Sequence, residues 1–503
     1  MFDDYIRKIL TARVYDVAQE TPLDWAPNLS RRYRNQIWFK REDLQPVFSF
    51  KLRGAYNRMV KLTAAQRQPG VITSSAGNHA QGVALSARYL GIDALIVMPQ
   101  TTPEIKVSAV RRYGARVTLH GSSYNEAFDY ALKCAKESGK TYIPPYDDPD
   151  VIAGQGTIAM ELLRQHQDPL DAIFVPVGGG GLIAGIAVYV KAIRPDIKII
   201  GVEPEDAASL RAALLANERV VLDQVGLFAD GVAVKQVGEE PYRIARECVD
   251  EVITVTADEI CAAIKDVFED TRSVSEPAGA LAVAGMKRYL QQHNLTEQNH
   301  IAIISGANMN FDRLRHVAER AELGERREAV LAVTIPEKPG SFRHFCQLLG
   351  SRAITEFNYR MADSRQAHIF VGIQLTGAEQ ELSELLQQLQ HNDLPAIDLS
   401  DNEAAKLHVR YMVGGRAKVD HERLMRFEFP ERPGALLHFL NRTGGHWNIS
   451  LFHYRNHGAA YGRVLVGMQV PPGDEAAFRD FLEQVGYRWW DEAANPIYGL
   501  FLQ

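Results

Sequence analysis

Residues 172–190 read Ala-Ile-Phe-Val-Pro-Val-Gly-Gly-Gly-Gly-Leu-Ile-Ala-Gly-Ile-Ala-Val-Tyr-Val, nineteen positions without a charge. That is the length of a membrane span, but five glycines and Pro176 interrupt it. The stretch divides more naturally into a buried strand over 172–177, a glycine turn, and a buried helix over 182–193. A continuous apolar strand that runs through a tight turn into an apolar helix is the repeating unit of an α/β fold, with its parallel sheet covered on both faces.

Working outward, β-branched runs at 36–40, 70–74, 94–99, 116–120, 197–203, 251–255 and 300–305 alternate with helical patterns at 78–90, 105–113, 123–138 and 152–165. The expectation is a doubly wound α/β domain over residues 1–311, large enough to split into two lobes of an open sheet. The pattern then changes. Residues 312–328 are highly charged and suit a solvated helical neck. Beyond them the chain repeats itself. Ala332-Val-Thr-Ile-Pro-Glu-Lys-Pro-Gly340 matches Arg426-Phe-Glu-Phe-Pro-Glu-Arg-Pro-Gly434 at an offset of 94. Phe357-Asn-Tyr-Arg360 matches Phe452-His-Tyr-Arg455, and Phe370-Val-Gly-Ile-Gln374 matches Leu465-Val-Gly-Met-Gln469, both at 95. Each copy reads βαββαβ, a ferredoxin-like unit. The expected second helices lie at 378–390 and 474–485, and the last strands at 395–400 and 487–491. Units at 329–401 and 424–494 would be joined by a linker over 402–423 and followed by a tail over 495–503.

Composition narrows the function. The 503 residues carry 56 Lys plus Arg against 62 Asp plus Glu, a formal charge of −6. Without a basic block, neither nucleic acid nor an anionic membrane surface has electrostatic support as a partner. Cys134, Cys248, Cys261 and Cys346 are far apart, with no CxxC pair. That pattern fits neither a disulfide framework nor a zinc cluster, and it points to a cytoplasmic setting. The first residues, Met-Phe-Asp-Asp-Tyr-Ile-Arg-Lys, lack the apolar core of a signal peptide.

Three turns carry chemistry. The run Gly178-Gly179-Gly180-Gly181 lets backbone N–H groups approach an anion at a helix start. It also fits a relaxed dinucleotide fingerprint, with Glu203 ending the next strand where a ribose-binding acid would sit. An NAD-dependent oxidoreductase therefore stands as an alternative. Lys51 lies between Phe50 and Leu52 at the start of a helix that Ser49 would cap. The apolar setting and the positive helix end both disfavour its ammonium form, which favours a nucleophilic amine. Ser75-Ala76-Gly77-Asn78-His79 leaves one strand with hydroxyl and N–H groups suited to a carboxylate, and Ser305-Gly306-Ala307-Asn308 leaves another. His79 reads as a helix-surface residue rather than a base. His453 and His457 fall on a strand and loop, so no metal site is expected.

Ser49-Phe-Lys-Leu-Arg-Gly-Ala55, Ser75-Ala-Gly-Asn-His-Ala-Gln-Gly82, Gly178-Gly-Gly-Gly-Leu182 and Ser305-Gly-Ala-Asn308 together resemble the serine/threonine dehydratases. These belong to the tryptophan-synthase-β-like, fold-type II class of pyridoxal 5'-phosphate enzymes. With the duplicated C-terminal module, the whole chain resembles the regulated members of that family, whose C-terminal copies are ACT-like domains. The resemblance implies that Lys51 holds pyridoxal 5'-phosphate as a Schiff base and then takes the substrate Cα proton. Asn78 would meet the cofactor's ring oxygen, Gly178, Gly179, Gly180, Gly181 and Leu182 its phosphate, and Ser305 its pyridine nitrogen. Ser75, Ala76 and Gly77 would take the substrate carboxylate. The implied reaction is α,β-elimination of water from L-threonine, and also from L-serine. The resemblance further implies a homotetramer inhibited by isoleucine and relieved by valine, with Tyr359 and Tyr454 as effector-site residues. A serine-preferring dehydratase or a racemase of the same class is the nearer alternative. Racemases resemble this loop but carry a serine where this chain has Ala76.

Overall fold

The computed structural model describes residues 3–324, 327–336, 344–345, 348–350, 352, 354–359, 366–376, 379–409, 420–430, 439, 442, 447, 449–455 and 461–502. Two compact units make up the chain, Met1–Ala321 and Glu322–Gln503.

The first unit contains two sheets. Its strands are β1 (Leu23–Trp25), β2 (Gln36–Arg41), β3 (Val71–Ser74), β4 (Ala94–Met98), β5 (Arg116–Leu119), β6 (Thr141–Tyr142), β7 (Ala172–Pro176), β8 (Lys198–Pro204), β9 (Glu251–Val255) and β10 (Asn299–Ile304). The larger sheet has the order β1-β2-β10-β7-β8-β9 and is parallel except for β1. The smaller sheet, β5-β4-β3-β6, is wholly parallel.

The central strands carry continuous apolar runs because helices cover both faces. Ile173 and Val175 point into one core with Ile183, Ile186 and Ile301, whereas Phe174 points into the other with Val283, Ala302 and Ile304. The uncharged stretch is not a membrane span. It is β7, a glycine turn, and the helix Gly181–Ile193. Among the described residues no helix is long and apolar enough to cross a membrane.

Two details depart from expectation. β1 and β6 have no periodic signal because they are only three and two residues long. The helix Lys51–Val60 is not capped by Ser49; Phe50 occupies the N-cap position, with no side-chain bond. Ser49 is instead buried, its Oγ without a partner, and its backbone bridges to Gly306. Packing against the turn after β10 therefore fixes the start of this helix, not a side-chain cap.

Four antiparallel strands form each half of the second unit. β11 (Glu328–Pro336), β12 (Ile354–Tyr359), β13 (Gln366–Gln374) and β14 (Ala396–Asp398) take the order β12-β13-β11-β14. β15 (Glu422–Pro430), β16 (Ile449–Arg455), β17 (Tyr461–Gln469) and β18 (Arg488–Asp491) repeat it as β16-β17-β15-β18. The second helices are Glu379–His391 and Glu475–Gln484. Even the irregularity is duplicated: the register slips between Ile354 and Glu356 in one copy and between Ile449 and Leu451 in the other. Both Pro-Gly turns lie outside the described residues. The copies share one core, in which Val330 and Phe370 meet Leu424, Leu465, Tyr498 and Phe501.

Candidate active site

β3, β7 and β10 are parallel strands, and the turn after each opens at its carboxyl end, where open α/β sheets bind ligands. These turns converge on a cleft lined by Phe50, Lys51, Asn78, Tyr146, Pro176, Gly178–Gly181, Leu182, Gly231, Val232, Glu276, Ala278 and Ser305. Lys51, Asn78, the glycine run, Leu182 and Ser305, far apart in sequence, therefore meet at one place.

Lys51 opens its helix and donates from Nζ to the Pro145 carbonyl at 3.1 Å. Burial pushes its amine down to about 8, and the nearby Glu276 carboxylate opposes that shift. The amine is thus much closer to its neutral, nucleophilic form than an exposed lysine is. Its helix is held from behind by a buried ionic network. Arg53, fully buried, donates to Glu42 at 2.8 Å and to Glu161 at 2.6 Å, and Lys40 meets Glu161 at 2.6 Å.

The strap after β6 crosses the cleft. Pro145 accepts from Lys51, and Tyr146 lies against the glycine turn. Asp147 accepts the Glu239 and Glu240 amides at 2.9 and 3.1 Å, and Asp148 caps the helix Pro149–Gln165. A Cβ on Gly179 would sit 2.2 Å from the Tyr146 ring, so the ring admits only glycine there.

Asn78 begins the helix Asn78–Leu90. Its Nδ2 donates to Glu276 Oε1 at 2.5 Å, and its Oδ1 accepts from Asn308 at 2.7 Å. Burial, with Asp230 beside it, raises Glu276 to about 7. Asp230 is itself held well below the usual carboxylate range by Lys106, at 2.5 Å, and Arg313, at 3.4 Å. Ser305 is buried and donates to the Ala278 carbonyl at 3.2 Å.

Other expected residues fall differently. Ser75, Ala76 and Gly77 are half-buried and do not line the cleft volume, although a Cβ on Gly77 would meet nothing within 4 Å. Glu203 is not a ribose ligand. It is fully buried and accepts the Leu210 and Arg211 amides at 2.8 and 2.9 Å, anchoring the helix Ser209–Ala216. His79 is not a surface residue. It is buried, with Nε2 3.0 Å from the Ile143 carbonyl, and burial pushes it down to about 3. Tyr359 and Tyr454 end or nearly end β12 and β16, and their side chains lie outside the described residues, as does His457.

No motif marks Glu276 or Tyr146, and other sequence signals for them are few. One was present for Glu276, which stands directly before a helix-opening proline. Glutamate is not a favoured N-cap residue, so its placement there suggests another job.

The donor set fits a phosphorylated aldehyde cofactor. It offers a half-buried amine of lowered pKa, a glycine turn at the start of the helix Gly181–Ile193 for an anion, an amide donor and a neutral hydroxyl. Residues 14–306 match the pyridoxal-phosphate dependent enzyme family, and this is the class that the fold and cleft define. Residues 319–409 and 413–502 each match the C-terminal regulatory domain of threonine dehydratase. The chain is 59% identical over 503 residues to the L-threonine dehydratase biosynthetic IlvA of Burkholderia multivorans, covering 99% of both chains. It is 57% identical over 501 residues to that of Escherichia coli, covering 99% of this chain and 97% of the other. The processed form of threonine deaminase isoform 2 from Solanum lycopersicum superposes with a TM-score of 0.63 at 51% identity, over 64% of this chain and 88% of that one. The chain belongs to the biosynthetic threonine dehydratase family.

Proposed function

We propose that this chain deaminates L-threonine by α,β-elimination of water, giving 2-oxobutanoate and ammonia for isoleucine biosynthesis. One observation carries the reading. Lys51, Asn78, Gly178–Leu182 and Ser305 share one cleft, in a chain 57–59% identical over its whole length to L-threonine dehydratases. Bound pyridoxal phosphate supplies an electron sink for charge developing at the substrate Cα.

The residues do the rest. Lys51 anchors the cofactor, and its amine, already lowered by burial, takes the Cα proton. N–H groups of Gly178–Leu182 hold the phosphate at a helix start. Asn78 would hold the cofactor's ring oxygen, and Ser305 would serve its ring nitrogen. A neutral hydroxyl there does not force a proton onto that nitrogen, which favours prompt elimination. The Ser75–Gly77 turn takes the substrate carboxylate. Ala76 has no proton to return to the opposite face of Cα, so racemisation of threonine or serine is not expected.

The domain plan is a catalytic domain over 1–311, a neck over 312–328, and regulatory units over 329–401 and 424–494. In this plan isoleucine inhibits and valine opposes it, through Tyr359 and Tyr454, in a cytoplasmic homotetramer. The duplicated sheets and the two matches to a regulatory domain support effector binding. Effector and substrate should then show reciprocal coupling.

A visible spectrum with and without L-threonine tests the core of this reading. A band that threonine shifts and borohydride abolishes, with 2-oxo acid released, is the expected result. A protein that takes up no pyridoxal phosphate would refute it. Full isoleucine sensitivity in both Tyr359→Ala and Tyr454→Ala would refute the effector placement.

A further inference from the structure

We propose that Glu276 is a positioning residue that fixes the Asn78 amide, and with it the N–H that Asn78 offers to the cofactor's ring oxygen. This inference rests on the reading of the cleft given above. Asn308 Nδ2 donates both to the Val47 carbonyl at 2.8 Å and to Asn78 Oδ1 at 2.7 Å. Both of its hydrogens are thereby engaged, so the oxygen end of Asn78 must face Asn308. The nitrogen end then faces Glu276 at 2.5 Å, leaving one N–H of Asn78 for a ligand. Without an acceptor at Glu276, the Asn78 nitrogen would have nothing within the protein to aim it.

The backbone around Glu276 is arranged to hold the carboxyl in place. Its amide donates to the Gly306 carbonyl at 3.1 Å, and Pro277 opens a helix directly behind it. A Cβ on Gly306 would lie 2.5 Å from Glu276 Oε1 and 3.2 Å from Asn78 Nδ2, so the turn after β10 leaves room for this pair. The charged groups facing Glu276 are Asp230, Lys106, Arg313 and, across the cleft, Lys51. Burial and Asp230 raise the carboxyl to about 7, so its charge is poised near neutrality.

The test strips the full chain of cofactor and titrates it with pyridoxal phosphate as wild type, Glu276→Ala and Glu276→Gln. Dissociation constant, visible absorption maximum against pH, and thermal midpoint are read for each. Glu276→Ala should bind about tenfold more weakly, roughly 1.4 kcal/mol, with a displaced band and little change in midpoint. Glu276→Gln keeps an acceptor for Asn78, so it should restore affinity while losing the shift of the band around neutral pH. Wild-type affinity and an unshifted band in Glu276→Ala would overturn the proposal. So would equal losses in both variants that track a fall in thermal midpoint, since a mere brace behaves that way. A wild-type chain that takes up no pyridoxal phosphate would instead sink the cofactor reading itself.

Discussion

Arg53→Met tests what holds the Lys51 helix in place. The guanidinium is fully buried and makes bonds of 2.6–3.1 Å to Glu42, Glu161, Thr157 and the Gln19 carbonyl. Methionine fills a similar volume but takes the shared cation away from two buried carboxylates. Glu161 keeps Lys40 at 2.6 Å and Tyr15 at 2.8 Å, whereas Glu42 keeps only the neutral donors Thr21 and Gln45. Breaking a buried pair from one side costs about 3–5 kcal/mol. At roughly 2–4 °C per kcal/mol for a larger domain, the thermal midpoint of the first unit should fall by about 6–20 °C. Scanning calorimetry on the full chain reads this directly. Adding Glu42→Gln to Arg53→Met should recover much of the loss, because Glu161 keeps Lys40 and no unpaired carboxylate then remains buried. A loss below about 1 kcal/mol in the single variant, or no recovery in the double, would refute the reasoning.

Three further outcomes follow from the same structure. Lys51→Ala should lose turnover without a lower thermal midpoint, because the amine has one carbonyl partner and an unfavourable burial; retained turnover removes Lys51 from the chemistry. Gly179→Ala should abolish uptake of pyridoxal phosphate by driving a methyl into the Tyr146 ring, and adding Tyr146→Ala should partly restore it; unchanged uptake in the single variant would contradict the cleft geometry. His300 is buried with neither ring nitrogen partnered, and burial pushes it down to about 4 from an ordinary 6.5. The unfolded chain therefore binds its proton first. Its contribution to stability is complete above pH 6.5 and falls, by up to about 3 kcal/mol, as the pH drops toward 4. His300→Leu should flatten that part of the acid limb, and an unchanged limb would count against this assignment.

The parts that were legible in sequence are those with a local cause. β7, β8 and β10 announce themselves because strands buried on both faces read as near-continuous apolar runs. The duplicated unit shows in paired motifs whose backbones later prove to share sheet order and bulge. What stayed hidden has a non-local cause. Glu276 meets Asn78 across 198 positions, and its place before a helix-opening proline gives no hint of that partner. His79 has a polar neighbourhood in sequence but lies under the Ile143 carbonyl in space. Ser49 has the right residue type for a cap, yet tertiary packing uses its backbone instead.

The strand order of the larger sheet has a consequence for how the protein is made. β10 lies between β2 and β7, so both of those strands wait, with an open edge, until residue 304 has emerged from the ribosome. Exposed apolar edges of that kind are templates for wrong pairing. When β10 inserts, Ser305 accepts the Phe50 amide and Gly306 bridges to Ser49. Closing the sheet and completing the cleft are thus a single late event. A nascent chain shorter than this has neither a finished sheet nor a completed cleft, and its open strand edges stay available for wrong pairing until β10 arrives.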